Sequence, residues 1–286
     1  KNEYLEEVVK ERTQEVVEQK NEIEEQKTEL QELYTDVTDS IRYAKRLQDS
    51  ILPPDSYVKK LFPDSFVYFQ PKDIVSGDFY WAGQQGNKNL IAAVDCTGHG
   101  VPGAFMSLVG ANGLNGAVGE HGLDQTEKIL DDLNHFSFTA LNNYQDGELV
   151  RDGMDMAMVA IDWETKVMEF AGANNPMYLL RNGEIQVTKS DKMAIGSFQK
   201  GEAHFTRHQF DLESGDIVYL FSDGYADQFG GDRGKKYMYK RFRETLIELS
   251  QLPMEEQADR LKTIMENWMG GTEQVDDILV IGIRVA

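Results

Sequence analysis

Acidic residues stand at the ends of four apolar segments of this sequence. Asp95 and Asp223 follow their segments, and the others, Asp78 and the pair Asp276-Asp277, precede theirs. Short apolar runs of this kind predict β-strands, and an antiparallel last strand would bring these carboxylates to one rim of a sheet. Crowded carboxylates repel one another, and divalent cations bound through oxygen relieve that repulsion. Since no His or Cys cluster has zinc spacing, the pattern predicts a centre for hard divalent cations.

A glycine-rich segment follows Asp95, with the sequence Asp-Cys-Thr-Gly-His-Gly-Val-Pro-Gly-Ala over residues 95–104. Its glycines let the backbone turn tightly beside a bound ion and begin a helix. Each acid alone is most simply a turn residue, because Asp beside Gly is common after a strand. The joint pattern favours the metal centre. Cys96 is interpreted as a small buried residue, since the sequence places no His and Asn or Asp pair to make it a nucleophile.

Several motifs follow one another along the chain. They are Ser76-Gly77-Asp78, Asp95-x-x-Gly98-His99-Gly100-Val101-Pro102-Gly103-Ala104, Ala171-Gly172-Ala173-Asn174-Asn175-Pro176, Phe221-Ser222-Asp223-Gly224 and Asp276-Asp277. Their order resembles that of the SpoIIE/RsbU-like branch of the bacterial PPM metal-dependent serine/threonine phosphatases. The resemblance covers roughly residues 55–286, and ordered motifs make it more specific than one pattern alone.

The resemblance implies an α+β fold, a β-sandwich flanked by helices in α-β-β-α layers, with two Mn²⁺ or Mg²⁺ ions bridged by water or hydroxide at one edge. It implies that Asp95 bridges both metals and that the backbone carbonyl of Cys96 ligates one of them. Asp223 and Asp276 then complete the other site. Asp78 holds the second metal directly or through water. Attack of the activated water on a phosphoserine or phosphothreonine needs no covalent intermediate.

Two residues near these motifs depart from the pattern of the resembled family. Asp277 is included among the metal ligands, although many relatives carry Asn there. His99 could protonate the leaving oxygen, but its offset from Asp95 differs from that of the histidine in the eukaryotic branch, so a structural role is preferred. No arginine stands near the motifs, which predicts weak substrate binding through the metals alone.

The first 50 residues have the composition of a helix, with 8 Lys or Arg, 14 Asp or Glu, and neither Gly nor Pro. A seven-residue apolar repeat with companion leucines predicts a parallel coiled coil, and therefore a homodimer through residues 1–50. The alternative is one solvated helix stabilised by charge pairs such as Glu6 with Lys10. The repeat consists of Val9, Val16, Ile23, Leu30, Val37, Ala44 and Ile51, with Leu5, Leu33 and Leu47 as companions.

A second apolar set near the end of this helix competes with the heptad. Two helix packings of similar energy are therefore predicted, and they would bias the metal-site loops near Asp78 and Asp95 between competent and incompetent arrangements. The opposite hypothesis is that the helix is a passive spacer. The heptad helix also resembles the signalling linkers that precede such domains. The second set is Val37, Ile41, Ala44 and Gln48.

Pro53 and Pro54 end the helix, which divides the chain into a linker over residues 1–52 and a phosphatase-like domain over residues 55–286. Two helices are predicted between Val101 and Tyr144, and two more between Lys240 and Met269. Strands and helices in these groups predict a layered α+β domain. The predicted strands are Phe66–Gln70, Asp78–Trp81, Leu90–Val94, Met154–Ile161, Val167–Phe170, Met177–Leu180, Ile217–Phe221 and Ile278–Ile283.

The charge balance excludes some partners. Against 29 Lys and Arg stand 49 Asp and Glu, a formal net charge of −20, which disfavours nucleic acid and anionic membrane surfaces. The single cysteine forbids an internal disulfide and suits a reducing compartment, and no apolar run approaches a membrane span. These features predict a cytoplasmic chain, and its abrupt helical start indicates a fragment of a longer sensor protein.

Three functions are weighed on this basis. The leading one is a phosphatase that acts on phosphoserine or phosphothreonine of a small protein and is regulated through the N-terminal helix. The resemblance suggests a STAS-type anti-sigma-factor antagonist as the substrate. The alternative is a catalytically silent dimeric signalling module, but such a module has no reason to keep the mutually repelling acids. A metal-dependent phosphodiesterase or nuclease is disfavoured by the net charge.

Overall fold

The computed structural model describes residues 2–142, 152–197 and 204–286, which form two compact units, residues 1–46 and 47–286. The first unit is the greater part of helix α1, Asn2–Ile51. The heptad residues from Val9 to Val37 are exposed, from 51% of the surface at Val37 to 66% at Leu30, whereas Ala44 is half-buried. Exposed ion pairs join neighbouring turns, such as Arg12 with Glu15. The helix therefore carries an exposed apolar stripe from Val9 to Val37.

The second unit contains two five-stranded sheets. One has the strand order β1-β12-β9-β6-β7 and the other β2-β3-β4-β5-β8, and all neighbouring strands are antiparallel. The strands are β1 Ser65–Gln70, β2 Phe79–Gln85, β3 Lys88–Cys96, β4 Met154–Asp162, β5 Val167–Ala173, β6 Met177–Arg181, β7 Glu184–Thr188, β8 His208–Asp211, β9 Ile217–Phe221, the short pair β10 Phe229–Gly230 and β11 Lys235–Lys236, and β12 Ile278–Arg284.

Six helices accompany the sheets in the described part of this unit. They are α2 Asp55–Leu61, α3 Gly100–Asn115, which continues into a π-helical turn at Gly116–Glu120, α4 Thr126–Asn142, α5 Gly224–Asp227, α6 Tyr239–Leu249 and α7 Met254–Met269. The mixed architecture confirms the predicted α+β class. Tyr144, the predicted end of the first helix pair, lies outside the described residues. No helix in the described part of the chain has both the length and the apolar character needed to cross a membrane.

The apolar residues form three clusters that define four layers. The middle cluster joins the facing surfaces of the two sheets, for example Ile91 and Val159 with Leu220. The second cluster packs α3 and α4 on one sheet, and the third packs α6 and α7 on the other. Because the central strands are buried on both faces, they read in the sequence as nearly continuous apolar runs rather than alternating ones.

The elements that were not predicted are short or lie at the edges of sheets. Strand β7 is an edge strand with mostly exposed residues, so its sequence lacks the apolar run that marks the central strands. Its turn did carry a signal, because Asn182-Gly183 adopts positive φ of 53° and 78°, the conformation favoured in a two-residue hairpin. Helix α2 is short and follows the two prolines directly, a position where proline suits a helix start.

The segment before β2 lies very close to the start of α3. A Cβ atom built on Gly103 would clash with the carbonyl oxygen of Gly98 and lie 2.7 Å from the Cα of Gly77. Gly98 and Gly100 adopt positive φ of 85° and 66°, a conformation that glycine adopts without strain. The glycines predicted to form a tight turn therefore also bring two backbone segments together.

We expect the substitution Gly103→Ala to lower the free energy of unfolding by about 1–3 kcal/mol, because the added methyl group overpacks backbone that has no room to move. Gly116→Ala is the matched control, since a Cβ at that helical position meets nothing within 4 Å. The control should be neutral or slightly stabilising. Urea denaturation followed by tryptophan fluorescence measures both, and equal stability of the two variants would contradict the close approach.

Candidate metal centre

Three strand ends meet at one rim of the sandwich. Strand β12 is antiparallel to β9, with Val280 opposite Phe221, so Asp276 before β12 and Asp223 after β9 lie at the same end. Asp95 is the penultimate residue of β3 in the other sheet. All three acids line one cleft of about 190 Å³, together with Asp155 and the segment 96–99. The structure therefore brings the acids of three separate sequence motifs into one site.

Asp78 lies beside this group but is more deeply buried. It immediately precedes β2 and is only 3% exposed. Its Oδ2 atom has no hydrogen-bond partner in the described residues. A buried carboxylate oxygen without a donor is costly unless a cation or a proton compensates it. Asp78 therefore has an oxygen available for a metal ion.

The carboxylates raise one another's pKa values. Burial, and then repulsion from Asp95, holds the pKa of Asp78 well above the ordinary range. Burial, followed by repulsion from Asp223 and Asp276, does the same for Asp95. Burial raises the pKa of Asp223 to about 6, with repulsion from Asp276 as the next cause. Burial also raises the pKa values of Asp155 and Asp276. The site is thus a concentration of negative charge in partly desolvated surroundings.

The donor chemistry of this site fits hard divalent cations. The described side chains of the rim offer carboxylate oxygens, which Mg²⁺ and Mn²⁺ prefer, and a cation would relieve the repulsion that raises the pKa values. Within the described ranges, however, no three His, Cys, Asp or Glu side chains are already spaced as a ligand set for one ion. The individual ligand assignments of Asp78, Asp95, Cys96, Asp223, Asp276 and Asp277 therefore stay predictions.

Asp277 has both carboxylate oxygens occupied by backbone donors. Its Oδ2 accepts hydrogen bonds from the N–H groups of Gly77 at 2.8 Å and Asp78 at 3.4 Å, and its Oδ1 accepts one from the N–H of Lys72 at 2.8 Å. Asp277 is buried, with 2% of the residue's surface exposed. Asp277 thus fixes the backbone that carries Asp78, a function that its predicted role as a ligand did not include.

His99 lies at the edge of the cleft with both ring nitrogens engaged. The Lys72 Nζ lies 3.3 Å from His99 Nε2, and His99 Nδ1 lies 2.8 Å from Asp73 Oδ2. Because an ammonium group can only donate, Nε2 accepts and Nδ1 donates. This arrangement favours the structural role over protonation of a leaving group. The contact with His99 also places Lys72 near the acids, although the sequence shows no arginine near these motifs.

Cys96 is unsuited to nucleophilic chemistry. The residue is free and only 4% exposed. Burial raises the pKa of its thiol well above the usual range, and the charges of Asp78 and Asp95 raise it further. Since the thiolate is the nucleophilic form, the interpretation of Cys96 as a small buried residue agrees with its surroundings.

Asp155 is a site residue that sequence reasoning missed. It lies opposite Asp95 in the pairing of β4 with β3, and its Oδ1 accepts a hydrogen bond of 2.7 Å from Asn174 Nδ2. Asn174 belongs to the Ala-Gly-Ala-Asn-Asn-Pro motif and has a positive φ of 56°. The signal that could have found Asp155 is its charge within the otherwise apolar run 154–161. That Asp155 faces Asp95 follows only from the register in which β4 pairs with β3.

Comparisons with known proteins identify the family to which the chain is similar. The sequence profile of the family described as Stage II sporulation protein E (SpoIIE) matches residues 85–286. The solved SiaA-PP2C domain of Pseudomonas aeruginosa shares 30% sequence identity, with a TM-score of 0.78 over 88% of this chain and 98% of that one. No curated protein sequence matches the chain.

Two further solved structures share the fold at lower identity. The PP2C phosphatase domain of SpoIIE from Bacillus subtilis, with a fragment of its regulatory domain, has 20% identity and a TM-score of 0.61, covering 78% of this chain and 63% of that one. RsbX in complex with magnesium has 16% identity and a TM-score of 0.53, covering 78% and 94%.

The double-sheet fold is that of the PP2C-type, or PPM, serine/threonine phosphatases. The chain belongs to the SpoIIE family within that class, which confirms the family predicted from the motifs.

We expect the metal-free chain to lose stability as the pH rises from about 4 to about 6. The folded state holds the proton of Asp223 up to about pH 6, whereas an unfolded chain releases it near pH 3.9. Above pH 6, Asp223→Asn should therefore be more stable than the parent by on the order of 1–2 kcal/mol, after allowance for partial solvent screening. Below pH 4 the advantage should disappear.

Thermal or urea unfolding after treatment with EDTA measures this difference across the pH range. Asp259→Asn is the matched control, because Asp259 is an exposed residue of α7. A pH-independent difference between Asp223→Asn and the parent would show that Asp223 does not share the repulsion of the rim.

Proposed function

We propose that the chain hydrolyses phosphoserine or phosphothreonine on a protein, using two divalent cations, Mn²⁺ or Mg²⁺, held at the carboxylate rim. The observation that carries the proposal is the cleft lined by Asp95, Asp155, Asp223 and Asp276, with the buried, unpartnered oxygen of Asp78 beside it. A domain that had abandoned catalysis would gain stability by losing such a set. The acids therefore favour an enzyme over the catalytically silent module.

Four acids would hold the cations: Asp78, Asp95, Asp223 and Asp276, with the backbone carbonyl of Cys96 as a further ligand. The structural relative RsbX binds magnesium. When bound, such cations lower the pKa of a coordinated water and neutralise charge on the phosphoryl oxygens. The protein's part is to hold the carboxylates in place, and Asp277 does this for Asp78 by accepting hydrogen bonds from the backbone N–H groups of Gly77 and Asp78.

The charges around the cleft define which substrate groups can enter. A phosphoryl dianion is repelled by the uncompensated carboxylates, so its binding depends on prior neutralisation of the rim. Lys72 and His99 supply positive or polar groups at one edge, and the charge of Lys72 partly offsets the burial that raises the pKa of Asp276. The net charge of −20 favours a protein substrate over nucleic acid.

The substrate and the setting are proposed from the family resemblance. A small STAS-type anti-sigma-factor antagonist is the protein substrate that the resembled branch implies. The cytoplasm is the proposed compartment, because the single cysteine is free and a reducing environment suits such a chain. We also propose that the N-terminal helix α1 regulates the phosphatase activity.

We propose that residues 1–50 form a parallel homodimer. The exposed heptad residues Val9, Val16, Ile23 and Leu30 lie along α1, and an uncovered apolar stripe of this period is buried efficiently by a second copy of the same helix. β-Branched residues at three of these four positions favour a two-stranded parallel arrangement.

We expect hydrolysis of p-nitrophenyl phosphate and of phosphoserine or phosphothreonine peptides to require added Mn²⁺ or Mg²⁺. Asp95→Asn and Asp223→Asn should each lower the rate by about 10²-fold or more, because each removes a charged ligand worth several kcal/mol. Circular dichroism should show that both variants keep the fold.

Asp259→Asn serves again as the control and should retain full activity. Full metal-dependent activity in Asp95→Asn or Asp223→Asn would overturn the site assignment. Hydrolysis of bis-p-nitrophenyl phosphate in preference to the monoester would instead support a phosphodiesterase.

Two neighbouring valines provide a matched test of the homodimer in the full chain. Val16 lies on the heptad stripe, whereas Val17 lies one position away from it, and both are exposed. Val16→Asp should dissociate the dimer in sedimentation velocity at micromolar concentration, since it places a charge in the seam. Val17→Asp should leave the dimer intact. A parent chain that sediments as a monomer, or equal behaviour of the two variants, would contradict the proposed coiled coil.

A further inference from the structure

Gln48 is a polar residue of α1 with an environment unlike that of its neighbours. It is only 2% exposed, whereas Leu47, the residue before it, is 48% exposed. A buried side-chain amide requires partners for its oxygen and its nitrogen. Those partners identify what Gln48 does.

The amide of Gln48 pairs with the backbone of Ser76 from both sides. The N–H of Ser76 donates to Gln48 Oε1 at 3.0 Å, and Gln48 Nε2 donates to the carbonyl oxygen of Ser76 at 2.6 Å. This two-point contact resembles the pairing of one strand with its neighbour. It fixes both the position and the orientation of the peptide groups of Ser76.

The same amide also reaches helix α3. Gln48 Nε2 donates to Ser107 Oγ at 2.9 Å, and Ser107 Oγ in turn donates to the carbonyl oxygen of Ala104 at 2.8 Å. Both serines are completely buried. Gln48 therefore joins two segments at once, the one that leads into Asp78 and the helix that follows the glycine-rich segment after Asp95.

The segment with Asp78 is held from two directions. Asp277 accepts hydrogen bonds from the N–H groups of Gly77 and Asp78, and Gln48 holds Ser76 immediately before them. Removal of the Gln48 amide would leave the buried N–H and C=O of Ser76 without these partners. The segment would then be free to shift, and Asp78 would shift with it.

We propose that Gln48 is a positioning residue of the metal centre, through which the last turn of α1 sets the affinity of the rim for divalent cations. The proposal rests on the proposed function, since it concerns the same cations. Residues that support ligands without touching the metal alter metal affinity by about 10–100-fold in other proteins. Rotation of α1 about its axis would withdraw the amide from Ser76, which gives the predicted regulation through this helix a specific point of action.

The test compares the parent chain, residues 1–286, with Gln48→Met, which keeps a side chain of similar length but removes the hydrogen bonds. Isothermal titration calorimetry with Mn²⁺ measures metal affinity independently of activity. We expect the dissociation constant to rise by about 10-fold or more. The Mn²⁺ concentration for half-maximal hydrolysis of p-nitrophenyl phosphate should rise in parallel, with kcat at saturating Mn²⁺ within about 2-fold of the parent's.

Two controls separate positioning from general stability. Gln31→Met changes an exposed glutamine of α1 and should alter nothing. Leu249→Ala removes a buried side chain of α6 and should lower the melting temperature without changing the affinity for Mn²⁺. If Gln48→Met does not fold, Gln48→Glu replaces it, because Glu keeps an acceptor for the N–H of Ser76 but loses the donor to its carbonyl, and we expect weaker Mn²⁺ binding here too.

An unchanged dissociation constant in a folded Gln48 variant would overturn the proposal and leave Gln48 as a packing residue. The proposal would also be overturned if Leu249→Ala lowered the melting temperature as much as the Gln48 variant and weakened Mn²⁺ binding to the same extent. A parent chain that binds no Mn²⁺ would contradict the proposed function itself, which distinguishes the two failures.

Discussion

Mutual repulsion of carboxylates at the rim of the sandwich is the constraint on which the rest of the structure depends. Antiparallel pairing of β12 with β9 places Asp276 beside Asp223, and the second sheet adds Asp95. Burial raises their pKa values and the neighbouring charges add to the effect. The fold tolerates this because three apolar clusters stabilise the strands that carry the acids. The apolar core thus offsets the local instability that the crowded carboxylates cause.

The position of the acids depends as much on backbone contacts as on the strands. Gly77 and Gly103 allow two segments to approach more closely than any side chain would permit. Asp277 and Gln48 then hold the segment of Asp78 through its peptide groups. The position of Asp78 therefore responds to small displacements of these supports, because several hydrogen bonds fix the backbone that carries it.

The sequence predicted the central strands, because doubly buried strands such as Ile278–Arg284 are apolar along their length. It also predicted the long helices from their apolar periodicity and the family from its ordered motifs. It did not predict β7, whose edge position leaves polar residues exposed. Asp155 became a site residue only through the register that sets it opposite Asp95. Gln48 was grouped with apolar helix positions, and its partners lie 28 and 59 residues away, a separation that no local pattern reveals.

The burial of Cys96 bears on how this phosphatase would respond to oxidants. Peroxide attacks exposed thiolates, and enzymes that use one as their nucleophile are inactivated when it becomes a sulfenic acid. Here the only thiol of the chain is covered by the core, and its raised pKa keeps it protonated. The proposed mechanism uses carboxylates and bound cations rather than a thiolate, so the oxidation that silences thiol-based phosphatases has no corresponding target in it.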